Sequence, residues 1–262
     1  MELIATLVSC GLVSGFLAGL LGIGGGFVVV PAMYLVLPPS VAPAAWLPQM
    51  AIATSLAAMI PTTATALFAQ ARRGAVDTDW LRRLAPGVCI GAVAGAVVAP
   101  HCDAGWVAVL FTAYASYFAV RLLLAPRGIR LPTPWTRWPC WIVATAVGGV
   151  SVLAGVGGAV LTVPYLESRQ IPMTSATATS SGVGLMLSLV AVAIFAIEGT
   201  LRSGTPHPPL VWWPAASIIG VSAMVTAPWG VRVAHRLPVD ALKRLFALLL
   251  LVAAFSALSK IR

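Results

Sequence analysis

The titratable side chains of this chain are few and poorly placed for catalysis. Seven acidic residues (Glu2, Asp77, Asp79, Asp103, Glu167, Glu198 and Asp240) and three histidines fall at or near polar separators between apolar runs. No paired carboxylates, HExxH motif or Ser–His–Asp spacing can be drawn from them, so neither enzymatic activity nor a cofactor finds support. The four cysteines, Cys10, Cys89, Cys102 and Cys140, lack C-x-x-C spacing and suggest neither a disulfide framework nor a zinc site. His101-Cys102-Asp103 reads as a polar turn between helices rather than a metal site. What remains is backbone and hydroxyl chemistry. Gly22, Gly24, Gly25 and Gly26 form a knot that recurs 133 positions later as Gly155, Gly157 and Gly158. Thr54 and Ser55 in Ala51–Ser55 match Thr179 and Ser180 in Ala176–Ser180, with Ser181 alongside. N–H groups where a helix starts carry partial positive charge, and hydroxyls donate hydrogen bonds, so this set suits a small anion held by dipoles.

The elements that must position these groups are apolar helices. The 262 residues are 60% hydrophobic and 9% charged, with mean hydropathy +0.97; an average soluble domain carries about 25% charged residues. The composition implies an all-α polytopic membrane protein, and the alternating short segments of a β-barrel are missing. The net charge of +9 lies in short loops, as at Arg72, Arg73, Arg82, Arg83 and then Arg121, Arg127, Arg130, Arg137. That is the signature of membrane orientation, not of nucleic-acid binding. The first residues, MELIATLVSC, have no basic n-region and are expected to stay in the mature protein. Eight apolar blocks follow: Leu3–Leu37, Met50–Ala69, Leu84–Ala99, Trp106–Leu124, Trp141–Leu166, Thr174–Ile197, Val211–Val233 and Val239–Leu258. Tryptophans gather at block ends, as an interfacial belt requires.

The first block is too long for one helix. Its 35 residues would span about 52 Å, against about 30 Å of hydrocarbon. A helix, a glycine break and a second short helix fit instead, with the break buried or lining a cavity. Because the break, its proline (Pro31, Pro164) and the threonine–serine segment all recur, the chain reads as two repeats, 1–128 and 129–262. Each has a glycine-broken first segment followed by three transmembrane helices. Full crossings at the breaks would make the repeats parallel and put 11 of the 16 Lys and Arg on one side. Re-entrant hairpins would make them inverted and put 13 on one side, which obeys the positive-inside rule better. The inverted arrangement is therefore expected, with both termini outside the cytoplasm. Pro61 is expected to kink its helix, with local hydroxyl support.

Each motif also has a plain structural reading. Glycines let membrane helices pack closely, and Ser or Thr often bond back to their own helix. Recurrence in both halves favours a site: paired broken segments are the sequence pointer to a midplane site in secondary transporters. The stretches LLGIGGGFVVVP, AGVGGAVLTVP and the ATS segments resemble the TauE/SafE sulfite-exporter family over essentially the whole chain. That resemblance implies export or movement of small sulfur-containing anions, such as sulfite or organosulfonates like sulfoacetate, across the inner membrane. It carries over to Gly22, Gly24, Gly25, Gly26, Pro31, Thr54 and Ser55, and to Gly155, Gly157, Gly158, Pro164, Thr179 and Ser180. Ala159 stands where the first copy has Gly26, so the two half-sites are not equivalent if that backbone must approach the substrate closely. The expected partners are a small anion and the lipid bilayer. Absence of an ATPase motif and the small number of acids suggest proton coupling as a hypothesis; Glu167 and Glu198 are the acids that could serve it, although interfacial charge is the commoner role for such residues. The competing readings are an anion channel, a transporter of another solute, or a non-transporting scaffold; valine at Gly24 or Gly157 separates the last from a transporter, since a folded scaffold should tolerate it and a transporter should lose flux.

Overall fold

The computed structural model describes residues 2–22, 24–37, 41, 43, 46–102, 138–201 and 209–234, with isolated positions between 105 and 120. The eighth apolar block, most of the fourth, Arg121, Arg127, Arg130 and Arg137, and most of the expected join between repeats lie outside them. The described residues are helical, in the order α1 (Glu2–Leu21), α2 (Gly26–Val36), α3 (Leu47–Ala71), α4 (Thr78–Val98), α5 (Cys140–Leu153), α6 (Ala159–Ser168), α7 (Met173–Leu201) and α8 (Trp213–Ala234). Five are long and apolar enough to cross a membrane: α1, α3, α4 with its 3₁₀ extension to His101, α7 and α8. The chain is thus an all-helical, multi-pass membrane protein.

Local chemistry explains several boundaries. The Asp77 carboxylate caps α4 by accepting from the backbone N–H groups of Asp79 and Trp80 at 3.1 and 3.0 Å. Pro48 sits in the first turn of α3, where a missing N–H costs nothing. Pro61 lies inside α3, and the hydroxyls of Thr62 and Thr63 donate to the carbonyls of Ala58 and Met59 at 2.8 and 2.7 Å. After Leu21 the chain turns through Gly22, Gly24 and Gly25, all at positive φ (69°, 77° and 78°), before α2 begins. A residue with a Cβ pays for that region with strain, and glycine does not.

Contacts fix the helix directions. Gly25 lies against Ser14, two turns back along α1, and α2 ends in a cluster with Leu7 of α1 and Met50 of α3. The chain therefore reverses at the glycine knot. The second knot does the same: Gly158 lies against Val147 of α5, and Arg169, just past α6, donates to the carbonyl of Trp138, just before α5, at 3.5 Å. Successive glycines Gly11, Gly15 and Gly19 meet Ile219, Ala223 and Ala227, so α1 and α8 are parallel. Gly220 against Pro61, with the Trp212 N–H donating to Thr54 Oγ1 at 3.0 Å, makes α8 parallel to α3 as well. In the same way, Gly87, Gly91 and Gly95 meet Trp141, Thr145 and Gly149, aligning α4 with α5. The Asp77 N–H donates to Thr179 Oγ1 at 3.0 Å and Gly182 meets Leu81, aligning α4 with α7. Finally, Gln70 pairs with Ser181 and Thr63 with Gly184, so α3 and α7 are antiparallel. Helices α1, α3 and α8 run one way; α4, α5 and α7 run the other.

All six described arginines, Arg72, Arg73, Arg82, Arg83, Arg169 and Arg232, fall at the end of the bundle where α3 and α8 finish and where α4, α5 and α7 begin. Glu2, Gln49 and His101 lie at the opposite end.

Candidate substrate site at the paired glycine turns

The two glycine turns meet inside the bundle. A methyl group at Gly26 would lie 2.5 Å from the carbonyl oxygen of Gly155 and 3.0 Å from Val156 Cα, a distance only glycine allows. Gly26 also touches Met59, midway along α3. From this point α2 runs toward the opposite end and α6 toward the arginine end, so two half-helices start side by side at mid-depth and diverge. Their positive N-terminal ends share one neighbourhood. Every expected site residue is buried: Gly22, Gly24, Gly25 and Gly26; Gly155, Gly157 and Gly158; Thr54, Ser55, Thr179, Ser180 and Ser181.

Side chains of one half hold the turn of the other. The Ser55 hydroxyl donates to the Gly155 carbonyl at 2.7 Å, and the Ser180 hydroxyl donates to the Gly22 carbonyl at 3.2 Å. Each serine also reaches a carbonyl of its own helix, Ile52 for Ser55 and Thr177 for Ser180. Gly22 sits directly on Thr177 and Ser180, and Gly155 on Ile52. The threonine beside each serine does different work. Thr54 Oγ1 accepts from Trp212 at the start of α8, and Thr179 Oγ1 accepts from Asp77 at the start of α4. These backbone N–H groups belong to helix starts and have no intrahelical partner, so the threonines satisfy them. In this conformation the serine protons are spent on carbonyls rather than directed at open space.

Other polar neighbours escaped the sequence reading. Ser14 lies against Gly25 and donates to the Gly11 carbonyl at 3.1 Å. Gln70, 4% exposed, donates to Ser181 Oγ at 3.3 Å. Gln49 donates to the Cys102 carbonyl at 2.9 Å, and its own amide oxygen is buried with no partner. Glutamines directly flanking the second apolar block were the available signal, because an amide is costly in hydrocarbon unless bonded. Glu167 ends α6 near Arg169 at the arginine end; Glu198 is near the far end of α7, one carboxylate oxygen buried without a partner. His101 and Cys102 sit at the end of α4 in a 3₁₀ turn, and Asp103 is outside the described residues. Among the described residues no three His, Cys, Asp or Glu gather where they could hold a metal.

Membrane-length helices enclosing two half-helices that start together at mid-depth define a multi-pass α-helical membrane protein with its polar backbone turned inward. The chain belongs to the sulfite exporter TauE/SafE family, whose model matches residues 7–257. It is 29% identical over 253 residues to a probable membrane transporter protein of Haemophilus influenzae, covering 95% of this chain and 96% of the relative. It is 22% identical over 244 residues to a probable membrane transporter protein of Methanocaldococcus jannaschii, covering 90% and 88%. No solved structure matches it significantly.

Proposed function

We propose that this protein is a secondary transporter that exports small sulfur-containing anions, sulfite or organosulfonates such as sulfoacetate, across the inner membrane. The observation that carries the reading is the meeting of the two glycine turns at mid-depth, each bonded by a serine from the other half. Two helix N-termini side by side offer an anion convergent dipoles. All described arginines lie at one end, far from that point, so binding rests on dipoles and hydroxyls, which favours release as well as capture.

The halves 1–128 and 129–262 act as inverted repeats. Support comes from α1, α3 and α8 running against their counterparts α5, α7 and α4, and from the paired bonds Ser55–Gly155 and Ser180–Gly22. Placing the arginine end in the cytoplasm satisfies the positive-inside rule and puts the N-terminus outside. The C-terminus lies outside as well if the last apolar block crosses once more. The site comprises Gly22, Gly24, Gly25, Gly26, Thr54, Ser55, Gly155, Gly157, Gly158, Thr179, Ser180 and Ser181. Transport, not catalysis, is the activity, and a proton gradient is its energy source.

Proteoliposomes carrying the purified protein test this directly. Flux of sulfite, sulfoacetate or another organosulfonate should exceed that of chloride and should respond to an imposed pH gradient. Equal leakage of every anion would indicate a channel, and no flux of any would indicate a scaffold.

A further inference from the structure

The described bundle does not divide at the boundary between its two halves. The most extensive helix pairs are α1 with α8 and α4 with α5, and each joins an element of one half to an element of the other. Along α1–α8 the backbones touch at Gly11, Gly15, Gly19 and Gly230; along α4–α5 they touch at Gly87, Gly91, Gly95 and Gly148. Thr54 ties α8 to α3, and Thr179 ties α4 to α7. The helices therefore group as α1, α2, α3 and α8 in one body and α4, α5, α6 and α7 in the other. Between the bodies lie the antiparallel seam of α3 and α7 and the two glycine turns. Four side-chain bonds join the bodies: Ser180 to Gly22 and Gln70 to Ser181 toward the arginine end, and Ser55 to Gly155 and Gln49 to the Cys102 carbonyl toward the opposite end.

These bonds are staggered along the seam. Ser180 lies two turns into α7 from the arginine end, and Ser55 two turns into α3 from the opposite end. We propose that Ser55 and Ser180 are positioning residues that act as latches, one for each mouth of the transporter, holding two helix-exchanged bodies together in the closed state described here. Releasing Ser180 from Gly22 lets the bodies part at the arginine end; releasing Ser55 from Gly155 lets them part at the other. The freed serine proton and the freed glycine carbonyl change partners in the open state, and no covalent bond is made or broken. Thr54 and Thr179, although adjacent in sequence, bond within a body and stay bonded throughout. The inference rests on the transporter reading, but its test needs no substrate, so a failed sulfite assay and a failed latch are separate results.

The test uses full-length protein in lipid nanodiscs, with the four native cysteines replaced by alanine and spin labels on cysteines at exposed positions. Trp141→Cys with Trp229→Cys reads across the seam at the arginine end, and Ile4→Cys with Val97→Cys reads across it at the other. Ser180→Ala should enrich longer distances at the arginine end alone, and Ser55→Ala at the opposite end alone. Each change should be about threefold in population, the worth of one hydrogen bond between membrane helices. Ser180→Thr and Ser55→Thr keep a hydroxyl and should restore the closed distribution, which also covers the case of an alanine variant that does not fold. Thr54→Val and Thr179→Val should leave both distances unchanged. The latch is overturned if both serine variants open the same end, if neither shifts either distance, or if the threonine variants open the seam as the serine variants do.

Discussion

The two glycine turns reach the same outcome by different backbone routes. The first passes through three left-handed residues, Gly22, Gly24 and Gly25, and Gly25 itself caps α2. In the second, Gly155 is left-handed at φ 66°, whereas Gly158, which caps α6, has an ordinary helical φ of −63°. Gly22 and Gly155 share both the left-handed conformation and a carbonyl that accepts from a serine across the seam. What the two halves have in common is the bonded first residue of the turn; the return path is where they differ. Gly26 and Ala159 show how far that goes, since Gly26 abuts the backbone of the second turn and Ala159 carries a methyl group in a buried position.

Substitutions at matched positions should therefore have unmatched effects. Gly25→Ala combines left-handed strain with a methyl group 2.8 Å from the Ser14 carbonyl, and should destabilise by about 3–4 kcal/mol. Its counterpart Gly158→Ala meets only the ends of Val147, Val183 and Leu187, at 2.9 to 3.0 Å, and should cost about 1–2 kcal/mol. Thermal unfolding of the detergent-solubilised variants checks the order, and equal losses would mean that the turns are mechanically alike. Gly26→Ala should cost about 2–3 kcal/mol by pressing on Gly155, and should lower flux more than Ala159→Gly, whose cost is below about 1 kcal/mol. Where the halves do match, effects should match. Thr54→Val and Thr179→Val each leave a helix-start N–H unpaired and should cost about 1–2 kcal/mol apiece. A large difference between those two would place the asymmetry deeper than the turns.

Much of this architecture is legible in the residues. Four of the long spans, α3, α4, α7 and α8, follow from the apolar blocks, and the excess length of the first block together with its glycines marks the place where α1 ends and α2 begins. The threonine–serine segments can be singled out because they recur. Their partners cannot. Nothing local indicates that Ser55 bonds to Gly155 while Thr54 bonds to the start of α8, because both facts depend on which helices become neighbours. In a soluble protein, one apolar face per helix narrows that choice. Here every face is apolar, and glycines such as Gly11, Gly15 and Gly19 identify a close-packing side without naming the helix that fills it. The buried amides of Gln49 and Gln70 carried information of this kind.

The packing of α1 against α8 and of α4 against α5 has a consequence for biosynthesis. Helix α1 is made well before α8, the helix that covers its glycine face, and α2 to α7 are made in between. Until then Gly11, Gly15 and Gly19 face lipid or a temporary neighbour, and α4 likewise waits for α5. A chain stopped after the first half would contain all four of that half's apolar blocks and still lack the neighbour of its first helix.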